Sequence, residues 1–146
     1  MALIDTLELL PANASHARQY IGSRFQQLMP AIVAAADGKT GAWWQVMDRP
    51  GEKNNYLESS ASSMFVYSLL KGVRLGALFT DAALNGTASY SGGQSAYVDV
   101  AKRAYEYIAD TFVVHNGNGT LGWNGTVGVC SLNSTASYEV SGGIKY

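Results

Sequence analysis

Aromatic rings and carboxylates recur together in this 146-residue sequence: Trp43-Trp44, Tyr56 and Glu58 in the first half, Trp123, Tyr138 and Glu139 in the second. An indole or phenol face stacks on the apolar C–H face of a sugar ring, and a carboxylate accepts hydrogen bonds from its hydroxyls. The combination therefore suits a carbohydrate site. Both residue types also have plainer uses. Tryptophans in a loop beside an apolar helix serve equally as core plugs, and Glu58, at the start of a predicted helix, is favoured there by the helix dipole by about 0.3–1 kcal/mol. Asp48 and Glu52 read as solvated turn residues.

Other chemistries find no support. There is no phosphate loop, no G-x-G-x-x-G and no G-x-S-x-G nucleophile elbow. His16 and His115 are far apart and have only Cys130 as a soft companion, so no metal site is expected; His16 reads as solvated, and His115 as the better candidate for a ligand contact.

Composition narrows the class. With 47% hydrophobic and 14% charged residues the chain is globular, and its length limits it to one compact domain. Ten basic and 11 acidic side chains give a net charge of −1 with no basic cluster, which argues against a nucleic-acid partner. No run approaches the roughly 18 apolar residues that cross a bilayer, so no membrane partner is expected. The lone Cys130 closes no internal disulfide. Glycosylation sequons stand at Asn13, Asn85, Asn118, Asn124 and Asn133 and predict a secreted, eukaryotic glycoprotein, although a chain rich in Asn, Gly, Ser and Thr also produces them by chance. The first residues lack the basic start and apolar stretch of a signal peptide. Secretion is then reconciled by taking the chain as the later part of a longer protein.

The elements that must position these residues are mostly helical. Leu3, Leu7 and Leu10 lie on one face of a first helix ended by Pro11, with nothing capping its start. A second helix is predicted over about Ser15 to Ala35, with Ile21, Phe25, Leu28, Ile32 and Ala35 inward and Pro30 kinking it or breaking it at Met29. Asp37 to Gly41 is turn chemistry, and residues 42–47 form a loop displaying aromatics. A third helix, from Tyr56 or Leu57 to about Leu75, opens on Ser59 to Ser63 and then becomes apolar nearly all round, so burial on several sides is expected, with Gly76 as its C-cap. Lys71 and Arg74 complement its dipole. Residues 80–93 read as a loop insertion. A fourth helix follows over about Gln94 to Phe112, with Tyr97, Ala101, Ala104 and Ile108 inward. Residues 114–146 form a glycine-rich tail, loop with a small hairpin around segments such as Thr126 to Val129. Four helices and little strand make an all-α domain.

The order of segments Trp43-Trp44-Gln45-Val46-Met47-Asp48, then Asn55 to Tyr67, then Lys71-Gly72-Val73-Arg74-Leu75-Gly76, resembles the unsaturated rhamnogalacturonyl hydrolases of glycoside hydrolase family 105. The tail from Gly125-Thr126-Val127 to Ser137-Tyr138-Glu139 is similar to that family's late loop, whereas Val140-Ser141-Gly142-Gly143 departs from its pattern. The resemblance implies part of an (α/α)6 toroid, about the last two-fifths of it, with the catalytic aspartate outside this chain. It implies removal of 4,5-unsaturated galacturonyl residues by hydration of a vinyl ether, with no metal or cofactor and a pectic oligosaccharide as partner. Trp44, Glu58, Tyr138 and Glu139 would line the mouth of the pocket. The alternatives are a non-catalytic carbohydrate-binding module using Trp43, Trp44 and Trp123, or a truncated product that does not fold alone.

Overall fold

The computed structural model describes residues 1–78 and 93–127. Among them are four helices, α1 (Ala2–Leu9), α2 (Ser15–Ala34), α3 (Ser59–Arg74) and α4 (Gly93–Thr111), and two short strands, β1 (Val113–His115) and β2 (Leu121–Trp123). The helical, strand-poor character agrees with the all-α expectation. Nearly all of the expected insertion, and the tail beyond Val127, lie outside the described residues. The chain divides into two compact units, one built from Met1–Ala34 and Met64–Ala101, the other from Ala35–Ser63 and the chain from Lys102 onward.

In the first unit, α1 is too short to persist alone and is held by tertiary contacts. Its start has no side-chain cap, as expected; instead the N-terminal amine donates to Ser68 Oγ at 2.8 Å. Its last carbonyls, which lack partners within the helix, are taken by Arg18, whose Nη1 donates to Leu7 O (2.9 Å) and Leu10 O (2.7 Å). The inward face carries Ile4 and Leu7, with Leu3 and Leu10 only half-buried, so it is turned slightly from the stripe read in the sequence. In α2 the same happens: Gly22, Phe25, Met29 and Ile32 are buried while Leu28 is 45% exposed. Two overlapping stripes both satisfy the helical period here, and packing selects one of them. Of the two outcomes open at Pro30, the break at Met29 does not occur, since α2 runs on to Ala34 with Pro30 exposed.

Burial of α3 is one-sided rather than all round. Val66 and Leu69 are buried, whereas Met64, Tyr67 and Leu70, three residues apart, share an exposed face. The helix ends as its glycine predicts. Gly76 adopts φ 69°, its N–H reaches Val73 O, and Ala77 N reaches Gly72 O, which together form a Schellman motif. One turn earlier, Lys71 does far more than complement a dipole. Its Nζ lies 2.6 Å from both Asp5 Oδ1 and Glu8 Oε2 and donates to Tyr67 Oη at 2.9 Å; Tyr67 Oη in turn donates to Asp5, and Arg74 pairs with Glu8 at 2.9 Å. The two carboxylates hold the Lys71 ammonium charged well above its ordinary range. Hydrogen bonds from Lys71, then Tyr67, lower the pKa of Asp5, and those from Lys71, then Arg74, lower that of Glu8.

In α4, Val100, Ala101, Ala104 and Ile108 are buried, Tyr97 is half-buried, and Lys102, Arg103, Glu106 and Asp110 face solvent. A hairpin stands ahead of the segment the sequence indicated, of which Gly128 and Val129 lie outside the described residues. Strands β1 and β2 pair antiparallel with Val113 opposite Trp123 and His115 opposite Leu121, and Thr126-Val127 is not strand. Gly117 and Gly119, at φ 76° and 85°, turn the chain between the strands. The sequence change at His115 therefore marks the first strand of the hairpin and not the start of irregular loop.

Two outcomes follow from this packing. A Cβ at Gly72 would sit 2.6 Å from Phe25 Cε1 and 3.0 Å from Leu78 Cγ. Gly72→Ala gains about 1 kcal/mol of helix propensity but meets an overpacking cost of about 1–3 kcal/mol, so urea denaturation should show a net loss on the order of 1 kcal/mol. For the charge cluster, folded-state values below the unfolded ones mean that Asp5 and Glu8 contribute stability above about pH 4 and lose it as pH falls through and below that value. The Lys71 contribution has the opposite sign and persists until the pH rises beyond about 10.4. Thermal melts of Lys71→Met should start lower at neutral pH and lose less on acidification than those of the parent chain.

Candidate functional site

Of the residues singled out for carbohydrate chemistry, the described ones, Trp43, Trp44, Tyr56, Glu58 and Trp123, fall in the second unit, around the start of α3. Two extended stretches meet there. Gln45 N donates to Tyr56 O at 2.8 Å, Glu58 N donates to Trp43 O at 2.9 Å, and Trp44 forms an antiparallel bridge with Leu57. The loop between the stretches is tied off by Asn55. Its Oδ1 accepts from Val46 N and Tyr56 N, both at 3.1 Å, and its Nδ2 donates to Val46 O and Arg49 O. On the other side Asp37 organises the preceding turn, accepting from Lys39 N, Thr40 N and Thr40 Oγ1 on one oxygen and from the Trp44 indole on the other at 3.4 Å. Burial would raise the Asp37 pKa. The donors from Thr40, Trp44 and Lys39 outweigh it and hold the carboxyl below its ordinary range.

Glu58 is the N-cap of α3 and is 2% exposed. Its carboxylate accepts the N–H of Ala61 in the first turn, the hydroxyl of Ser60 on both oxygens (2.9 and 3.0 Å), and the N–H of Val127 at 3.1 Å. Among the described residues no ion pair involves it. Donor bonds and the positive end of the helix dipole accommodate the buried charge. The next residue, Ser59, performs the matching task for the tail segment. Its N–H donates to Gly125 O (2.9 Å), its hydroxyl lies 2.7 Å from Thr126 Oγ1, and it accepts the Trp123 indole N–H at 2.9 Å. Ser62 Oγ accepts Trp43 N at 3.0 Å. Gly125 is required where it stands: φ is 76°, and a Cβ would meet the Phe112 ring at 2.7 Å.

Several expectations change here. Trp43 is 0% exposed, so residues 42–47 do not simply display aromatics; Trp43 is the core plug and Trp44 is half-buried. Glu58 was expected at a pocket mouth as an acceptor for sugar hydroxyls. The structure buries it and engages both oxygens within the protein, where the first turn of α3 and the Val127 N–H supply donors. Tyr138 and Glu139 lie outside the described residues, as do Cys130, Asn85 and Asn133. Asn13 and Asn118 are exposed, and Asn124 is half-buried with its Oδ1 accepting from Gly125 N. His16 and His115 are exposed. Among the described residues, no three His, Cys, Asp or Glu side chains are grouped to hold a metal ion, and no helix is long and apolar enough to cross a membrane.

Asp37, Asn55, Ser59 and Ser62 carry the local architecture without having stood out individually. The Asp-x-x-Thr spacing of Asp37 and Thr40 was a readable signal for the turn. Nothing in the sequence pairs Ser59 with Trp123, 64 residues away.

Comparison with known proteins agrees with this arrangement. Residues 1–142 match the model of Glycosyl Hydrolase Family 88. A solved glycoside hydrolase of family 105 from C. acetobutylicum ATCC 824 superposes with a TM-score of 0.75 and 31% identity, covering 100% of this chain and 37% of that one. Protein Atu3128 of Agrobacterium fabrum and the 24.9 kDa protein in the picA locus of Rhizobium radiobacter are each 42% identical over 78 residues, 53% of this chain and 32% of theirs. The chain therefore spans about a third of the length of the curated relatives it matches. With its helical architecture, it corresponds to part of an (α/α)6 toroid.

The Glu58 cap gives a direct test. Glu58→Ala removes an N-cap acceptor, worth about 0.5–2 kcal/mol, and leaves the Val127 N–H short of a partner at about 1–3 kcal/mol. Urea unfolding should register a loss of roughly 2–4 kcal/mol, with Glu58→Gln, which keeps one carbonyl acceptor, losing less.

Proposed function

Because the chain belongs to glycosyl hydrolase family 88, we propose that it is part of a secreted glycoside hydrolase that removes 4,5-unsaturated galacturonyl residues from rhamnogalacturonan oligosaccharides. The reaction in this proposal is hydration of the vinyl ether. A carboxylic acid protonates C4, water adds at C5, and the resulting hemiketal opens to release the sugar. That acid must hold a proton at working pH, which a dry pocket provides; in this proposal it is an aspartate outside the 146 residues. The spacing of two carboxylates that sorts ordinary glycosidases has no bearing on such a step.

The observation that carries the proposal is the family match over residues 1–142. The geometry adds a role for Trp44. With its indole N–H held by Asp37 and its backbone bridged to Leu57, the ring is oriented before substrate arrives, which lowers the entropy cost of stacking a sugar on it. Glu58 contributes by holding Val127 and the segment around it. Asn13, Asn85, Asn118, Asn124 and Asn133 carry glycans in the secreted protein. The alternative of a binding module built on three tryptophans loses one platform, since Trp43 is wholly buried.

Loss of the double-bond absorbance of an unsaturated rhamnogalacturonan disaccharide tests the proposal. The longer protein carrying this segment should bleach the band, and its Trp44→Ala variant should show a KM raised roughly two- to tenfold, the equivalent of about 0.5–1.5 kcal/mol of stacking. The 146-residue chain alone should leave the band unchanged. No bleaching by the longer protein would refute the activity, and bleaching by the isolated chain would refute the placement of the acid.

A further inference from the structure

We infer that the tip of the β1–β2 hairpin is a self-modification site, at which Asn118 closes on the Gly119 nitrogen, loses ammonia and becomes aspartate or isoaspartate. Asparagine followed by glycine suits this reaction, because a successor without a Cβ leaves its nitrogen open to the carboxamide. Such pairs begin at Asn85, Asn116, Asn118 and Asn124. The first lies outside the described residues, and the structure separates the other three.

At Asn118 the carboxamide is folded back over the next peptide and its oxygen is loaded with donors. Asn118 Oδ1 accepts the Thr120 N–H at 3.1 Å and the Thr120 hydroxyl at 2.7 Å. Thr120 Oγ1 in turn accepts from Asn116 Nδ2 at 3.0 Å, which strengthens its own donation. Two donors on a carbonyl oxygen make its carbon more electrophilic and stabilise the negative oxygen of a tetrahedral intermediate. The nucleophile is accessible as well. Among the described residues no acceptor takes the Gly119 N–H, a Cβ at Gly119 would meet nothing within 4 Å, and residues 114–121 are all exposed.

The neighbouring pairs lack this arrangement. Asn116 is held by its own N–H on Thr120 O at 3.1 Å, and among the described residues no donor reaches its Oδ1. Asn124 is half-buried, and the Gly125 N–H that would have to attack is spent on Asn124 Oδ1 at 2.8 Å. Gly125 is further fixed by Ser59 N on its carbonyl and by the Phe112 ring against its Cα.

The reaction needs only water. Solvent removes the Gly119 N–H proton as the nitrogen bonds to Asn118 Cγ; the Cγ–Nδ2 bond then breaks, and Nδ2 takes a proton and leaves as ammonia, giving a cyclic imide. Water adding at Cγ breaks the new bond and yields aspartate. Water adding at the Asn118 main-chain carbonyl carbon breaks the original peptide bond and yields isoaspartate, with the chain running through Cγ. Either product adds one negative charge. Because Nδ2 is also the glycan acceptor of the Asn118-Gly119-Thr120 sequon, the reaction withdraws that acceptor permanently.

The unglycosylated 146-residue chain, made in a bacterial host and kept at neutral pH, provides the test. Peptide mass mapping, with fragmentation to tell Asn116 from Asn118 and isoaspartyl methyltransferase labelling of the product, should show Asn118 converting ahead of Asn116 and Asn124. Thr120→Ala should slow Asn118 roughly two- to tenfold, the worth of one hydrogen bond, and Thr120→Ser should keep the parent rate. In urea the three pairs should react alike and the Thr120→Ala effect should vanish. Asn116 or Asn124 converting first, the same order of sites with and without urea, an Asn118 rate untouched by Thr120→Ala, or a slowing that persists in urea overturns the inference. None of these readouts involves the hydrolase activity, so either reading can fail without the other.

Discussion

The second unit depends on one buried carboxylate. Glu58 stands where four unsatisfied N–H groups and the positive end of a helix dipole converge, and it answers the segment that crosses beside the helix as well as the helix itself. A residue that only capped α3 would fix one element. Because Glu58 also accepts the Val127 N–H, and Ser59 binds Gly125, Thr126 and Trp123, the start of α3 fixes the path of the chain after β2. The same residues receive the Trp43–Val46 stretch on their other side, through Glu58 N and Ser62 Oγ. Small serines at the first turn are what make this possible, since each presents a hydroxyl close to the backbone while leaving room for another chain to approach.

The first unit solves a comparable problem with opposite charges. Lys71 is 9% exposed and meets two carboxylates of α1 at once, so neither the ammonium nor the carboxylates is left uncompensated where solvent is partly excluded. The contact joins residues 66 apart and gives the short α1 a defined seat that its own length cannot provide. Apolar contact with the buried Ile4 and Leu7 supplies burial; the ion cluster and the Arg18 bonds to the C-terminal carbonyls supply direction.

These two anchoring schemes bear differently on function. The charged cluster of the first unit is saturated among its own members and holds packing. In the second unit Glu58, Ser59 and Ser62 are engaged within the protein, while Trp44 is half-buried and Trp123 exposed. The chain matches a glycosyl hydrolase family while spanning about a third of its relatives.

Sequence alone determined the helical class, the turn at Asp37, the glycine C-cap at Gly76 and the inward residues Ala101, Ala104 and Ile108 of α4, because each is a local matter of period, capping or backbone freedom. The family was legible too, in the run from Asn55 to Tyr67. Tertiary structure decided which of two stripes on α2 turns inward, since both satisfy the same period. It also decided that Trp43 is core while Trp123 is exposed, that Glu58 is a buried strut, and that Lys71 belongs to Asp5 and Glu8. Each of those outcomes is set by a partner dozens of residues away in the chain, and the local sequence holds no record of which distant donor or ring will arrive.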